Sequence, residues 1–129
     1  MSYAQERTDI ESRLSSGWST TEIAWDNVAF VPVPGTAWIR CTILPGDVDP
    51  LEFGRDTLKE HMGIIDIGIF TPKNTGNAIG RGYADTLSTL FNMVEFGTID
   101  CDAASVQNMG SDNDWYHLVV SIPFTRREA

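Results

Sequence analysis

Residues 115–124 alternate without a break, and this run constrains the fold most. Tyr116, Leu118, Val120, Ile122 and Phe124 share one parity; Trp115, His117, Val119 and Ser121 share the other. Side chains alternate between faces only in an extended chain, so the run is a strand with one strongly apolar face. Residues 63–70 repeat the pattern with Ile65, Ile67 and Ile69, ahead of Phe70. Residues 37–44 repeat it again, with Ile39, Cys41 and Ile43 opposite Trp38, Arg40 and Thr42. Shorter alternation marks residues 21–25 and 98–101 as strands. Trp38 and Trp115 fall on the parity opposite the apparent core, which suits either an internal second layer or a neighbouring molecule.

Two stretches carry helical spacing instead. Tyr3, Ile10 and Leu14 line one face of residues 3–17, and Gly17 can adopt the left-handed conformation that ends a helix. Ile79, Tyr83, Leu87, Leu90, Phe91 and Val94 form a stripe over about residues 77–92, with Asn74 or Thr75 placed to cap it. The predicted order is α-β-β-β-α-β-β: an α+β fold with a mixed or antiparallel sheet of about five strands and two helices. One domain over residues 1–129 accounts for the pattern. Residues 45–61 read as a long loop, because Pro50, Gly54 and charges at mixed spacing interrupt any period. Loops beyond about 12–15 residues are usually functional or mobile. Residues 108–113 read as a turn.

The charge balance narrows the function. Nine Lys and Arg face eighteen Asp and Glu, a net charge of −9. A protein that grips duplex DNA presents a basic face, and no Lys/Arg cluster here exceeds Arg126-Arg127. No apolar run is long enough for a membrane span, and residues 1–7 lack the apolar core of a signal peptide. Cys41 and Cys101 are far apart and sit in apolar strand patterns, which predicts two reduced thiols with neither disulfide nor zinc.

Catalytic patterns are weak throughout. His61 and His117 have no metal-ligand spacing. Residues 76–82 are glycine-rich and open a helix, yet they match neither common phosphate-loop pattern and no Lys follows. No G-x-S-x-G occurs, and Asp47 to Glu52 does not follow the calcium-loop order. The sequence therefore assigns no catalytic, metal-binding or cofactor-binding residue. Acids crowd residues 47–56 against Arg55 alone, which marks a charged surface.

Two blocks in order resemble a known family. The first runs from Ile23, Trp25, Asn27, Phe30 and Pro32 through Gly35 to Trp38-Ile39-Arg40 and Ile43-Leu44. The second runs from Gly63 and its apolar strand through Pro72 and Gly76 to Ala84-Asp85, Leu87 and Phe91. Over roughly residues 6–124 the chain is similar to the tail terminator family of long-tailed bacteriophages. The resemblance implies a structural virion protein with no cofactor. It implies a homo-hexameric ring at the head-proximal end of the tail, assembled in the host cytoplasm. Its partners would be the tail tube protein and a head completion or connector protein, with DNA passing through the lumen unbound and no membrane involved. An acidic ring suits such a lumen, because acids repel phosphates. Asp47, Asp49, Glu52, Arg55 and Lys59 are the inferred oligomer or tail-tube contacts, chosen for their complementary charges on the long loop. A tail-tube or head–tail connector subunit is the alternative within phage assembly; a small acidic enzyme or ligand-binding domain is the alternative outside it.

Overall fold

The three long alternating runs lie side by side and form the centre of one sheet. The computed structural model describes residues 3–50, 59–74, 76–112 and 114–128. In chain order the elements are α1 (Tyr3–Gly17), β1 (Glu22–Trp25), β2 (Trp38–Pro50), β3 (Lys59–Pro72), α2 (Ala78–Phe91), β4 (Glu95–Phe96), β5 (Ile99–Cys101), β6 (Ser105–Asp112) and β7 (Trp115–Glu128). The sheet has seven strands in the order β1-β2-β3-β7-β5-β4, with β6 also on β7. β1 joins β2 in parallel, and the remaining described pairs are antiparallel. The α+β class, the mixed sheet, the two helices and their place in the chain follow the expected order. Two strands, β4 and β6, are additional to it.

β3 and β7 pair over their whole length, from Lys59 opposite Glu128 to Pro72 opposite Trp115. Their shared inner face carries Ile65, Ile67, Ile69, Leu118, Val120, Ile122 and Phe124, all buried. β2 adds Ile39 and Cys41, and β5 adds Ile99 and Cys101. Both helices cover this one face. Burying a side chain of this size stabilises by roughly 1.5–3 kcal/mol, so the shared face dominates the fold's energetics. At Gly63, opposite Phe124, an added Cβ would lie 2.6 Å from the Phe124 ring, so only glycine lets that ring lie flat.

The helices bury most of the faces that periodicity suggests, and depart from them at their first turns. In α2 the buried seam is Gly80, Ala84, Leu87 and Phe91, while Ile79 is exposed. Gly80 and Ala84 are small enough to bring the helix axis close to the sheet; a Cβ on Gly80 would already stand 3.1 Å from Leu118. Asn77 occupies the cap position without a side-chain cap. In α1 the buried residues are Glu6, Ile10 and Leu14, and Tyr3 lies half outside. A carboxylate on that face is tolerated because Arg126 on β7 donates to it at 2.7 Å, both side chains being buried.

The long loop expected at residues 45–61 is mostly strand. β2 continues to Pro50 and β3 starts at Lys59, pairing Pro50 with Lys59 and Val48 with His61. Residues 51–58 lie outside the described residues. Prolines are tolerated here because β1 covers β2 only from Trp38 to Cys41. Beyond Cys41 that edge of β2 is open, so a missing N–H forfeits no ladder bond. A register shift between Pro45 and Val48 absorbs Gly46 and Asp47 as a bulge. Residues 108–112 of the turn expected at 108–113 are likewise the second half of β6, held by β7, and Asn113 lies outside the described residues.

Two predictions follow from these packings. Glu6→Ala removes the buried carboxylate to which Arg126 donates, which destabilises by about 3–5 kcal/mol in urea unfolding. The double variant Glu6→Leu/Arg126→Met recovers most of that loss, whereas a loss equal to the single variant's would mean the pair is not the linkage that holds α1. The second concerns the thiols. Burial pushes Cys41 from 9.0 up to about 12, helped by Glu11 and Asp26. Burial also raises Cys101 to about 12, with Arg13 opposing and Asp100 and Asp102 assisting. At pH 8 only about one thiol in ten thousand is ionised. Ellman's reagent therefore reacts with the native chain only through unfolding and titrates both cysteines in urea. Since the native values are raised, their stabilising contribution is complete below pH 9 and fades as pH climbs toward 12.

Candidate functional site

The surface separates into three regions: a charged strand end, an aromatic band on the outer sheet face, and a hollow beside α1. At the strand end, β2, β3 and β7 finish together. Asp49 lies opposite Glu60, and Glu60 lies opposite Arg127, forming one cross-strand row. Arg127 reaches the Glu60 carboxylate at 3.6 Å. Asp47 sits in the bulge, exposed; Asp49 and Lys59 are exposed on their strands. Of the five residues expected to make contacts, Asp47, Asp49 and Lys59 thus reach the same end of the sheet. Glu52 and Arg55 lie outside the described residues. Glu60 and Arg127 join this end through register alone, which sequence spacing cannot reveal across nearly seventy residues.

Directly inside this end lies a buried polar lock. His61 pairs with Arg126 across β3 and β7. Tyr3 OH lies 3.3 Å from His61 Nδ1, with the two rings edge to face. The Arg126 guanidinium lies 4.9 Å from the Tyr3 ring centre, a cation–π contact. The first turns of α1 are thereby bolted to the strands that carry the charged end. Burial of Arg126 also divides the Arg126-Arg127 pair, because neighbouring residues of a strand face opposite ways. Only Arg127 remains on the surface.

The outer face carries a ladder of rings. Trp38, Phe70 and His117 occupy one cross-strand row on β2, β3 and β7. Trp38 stacks on Phe70 at 4.1 Å and Phe70 stacks on His117 at 4.1 Å. Phe30 and the edge of Trp115 close on Trp38, which is buried within its own chain. Arg40 lies over the Trp38 ring. An added Cβ on Gly68 would meet His117 Nε2 at 2.9 Å, so glycine makes room for the tilt of these rings. The second-layer tryptophans are thus satisfied by intramolecular packing, with residues 28–37 strapped across them.

The hollow, of about 470 Å³, lies between α1 and the β1–β2 connection and is lined by Glu6, Arg7, Glu11 and Asp26 among others. Arg7 is paired with Glu11 there. Among the described residues no group of three or more His, Cys, Asp or Glu is arranged to hold a metal ion. His61 and His117 lie on opposite faces of the sheet, each engaged by an aromatic ring. This arrangement supplies rigid surfaces and charge rows.

Comparison with known proteins agrees with that reading. No curated protein matches the chain. A solved structure 19% identical in sequence shares the fold, with a TM-score of 0.76 over 100% of this chain and 98% of the other. The family model described as phage tail terminator protein matches residues 7–124. The chain therefore belongs to the phage tail terminator family, a family of structural proteins of the phage tail.

Proposed function

We propose that six copies of this chain close into a ring on the head-proximal end of the tail tube, stop its growth and present the surface that the head joins. The family match over nearly the whole chain carries the reading. A tube of identical subunits has no intrinsic end, since each added ring repeats the last surface. A terminator must match the tube on one face and differ from it on the other. The charged strand end suits the matching face: β2, β3 and β7 hold it rigidly, and the polar lock fixes it to α1. Asp47, Asp49, Glu52, Arg55 and Lys59 remain the proposed contacts, with Glu60 and Arg127 added. Six modest contacts acting together suffice, because ring closure makes them cooperative.

Deleting the gene is expected to give overlong tails that do not join heads, scored by electron microscopy of the infected lysate. Normal-length, joined tails in that infection would remove the proposal. Complementation with Arg55→Glu/Lys59→Glu should restore tails less well than wild type; Lys59→Glu alone leaves the fold unharmed, since an exposed charge contributes only about 0–1 kcal/mol. A chain that instead polymerises by itself into long tubes would be a tube subunit.

The acidic ring should let DNA slide without adhering. Arg7 is paired with Glu11, Arg13 donates to the Leu90 carbonyl, Arg40 covers Trp38, Arg126 is buried and Arg127 reaches Glu60. Too few cations remain to release counterions from phosphates. The purified protein should leave duplex DNA unshifted at micromolar concentration and about 150 mM salt; a shifted band there would refute the unbound passage of DNA.

A further inference from the structure

Each subunit of the proposed ring carries −9, so copies repel unless their contacts avoid the acids. Residues 27–39 and residues 103–111 contain no charged side chain. The other comparably long uncharged runs pass through α2 and β7, whose apolar side chains face the core. Residues 28–36 of the first run and residues 103–111 are exposed or only partly covered instead. Residues 28–35 form the strap, which leaves β1 at one edge of the sheet and crosses the outer face past Trp38 toward Trp115. Residues 105–111 form β6, at the other edge.

Both segments have main chain to spare. β6 bonds only to β7, and its outer edge has no partner among the described residues. It carries no proline and no charge before Asp112, the usual guards of an edge strand. The edge of β2 beyond Cys41, by contrast, holds Pro45, Asp47, Asp49 and Pro50. In the strap, residues 29–32 make no main-chain hydrogen bond among the described residues; Val28 N–H donates to Trp25 and the Val33 carbonyl accepts from Thr36. Exposure alternates along it: Phe30 and Pro32 are partly covered, whereas Val31 is 85% and Val33 57% exposed. Residues before proline favour extended backbone, which holds Val31 and Val33 in a strand-like course. Pro32 and Pro34 lack N–H groups, so only the Val31/Val33 edge of the strap can donate to a ladder. Such a segment is a one-sided strand, able to add to a sheet edge without recruiting a further strand.

We propose that the strap of one copy adds to the free edge of β6 on the next, with Val31 and Val33 packing near the exposed Val106 and Met109. This deepens the ring reading and rests on it. The two surfaces differ, so the contact is heterologous and propagates from copy to copy, as a ring requires. It also leaves the charged strand end free for the tube.

Cysteine cross-linking tests the contact, and the buried Cys41 and Cys101 do not interfere with it. Val31→Cys, Met109→Cys and the double variant are each complemented into an infection, and purified virions are treated with a short bismaleimide. The double variant should give a denaturing-gel ladder ending at six copies; neither single variant should cross-link to itself. A dimer from Met109→Cys alone would show two β6 edges meeting symmetrically and overturn the proposal. A Val31→Cys adduct with the tube subunit would overturn it in favour of a tube contact. Six-copy rings on virions without a ladder would overturn the contact and leave the ring reading standing. Virions holding no six-copy ring would overturn both. As an independent readout, Val31→Asp should raise the concentration for ring closure by about tenfold or more, with the urea midpoint of the monomer unchanged. An unchanged closure concentration would count against the strap.

Discussion

The full-length pairing of β3 with β7 is the constraint on which the rest depends. A fourteen-residue antiparallel ladder is about 45 Å long. Only part of its length is needed to form a core. Its middle, from Ile65 to Ile69 and from Leu118 to Ile122, carries the helices. Its end beyond Gly63 carries charge instead, and β2 follows it there through a bulge. Stability and recognition are thus assigned to different stretches of the same strands. The core anchors the ladder, and the ladder transmits that rigidity outward to a surface that no hydrophobic cluster of its own could hold.

The Glu6–Arg126 pair sits where those two stretches meet. A buried ion pair contributes little net stability compared with an apolar pair of the same shape, because both charges lose their water. What it supplies is a defined position. An apolar contact between α1 and β7 could slide by a turn of helix. A 2.7 Å charged hydrogen bond, with Tyr3 against Arg126 and His61, cannot. If the charged end makes the proposed tube contacts, positional definition at its base matters more than added free energy.

Alternation made the central strands legible in the sequence, because a one-sided apolar face leaves a period of two that chance rarely sustains. The same signal failed wherever a strand had no apolar face to bury. β6, Ser105–Asp112, leaves its apolar Val106 and Met109 exposed and exists because β7 offers it an edge. β2 past Leu44 contains two prolines and a glycine, and its pairing with β3 overrides their local preference. The first turn of α2 was obscured for another reason, although Leu87 and Phe91 follow the expected stripe. Gly80 and Ala84 register as weakly apolar in the sequence, although close packing gives small residues the buried seam and leaves Ile79 outside. Among the contact residues, Asp47, Asp49 and Lys59 were visible as charges on one segment. Glu60 and Arg127 became neighbours only through the β3–β7 register.

Charge and assembly pull against each other in this molecule, and the distribution of residues resolves the conflict. A strong negative charge keeps free subunits apart and keeps DNA from adhering. The same charge opposes the ring. Spreading acids evenly would make every contact between copies costly. Here the strap has no acid, and β6 has none before Asp112. Main-chain hydrogen bonds then become the natural contact between copies, since they are indifferent to net charge and specific in direction. In the proposed contact, the proline spacing of the strap, with donors on one edge only, limits each junction to one strap and one β6 edge. An assembly built this way can be strongly acidic as a whole and still closed, because the repulsion and the adhesion act through different atoms.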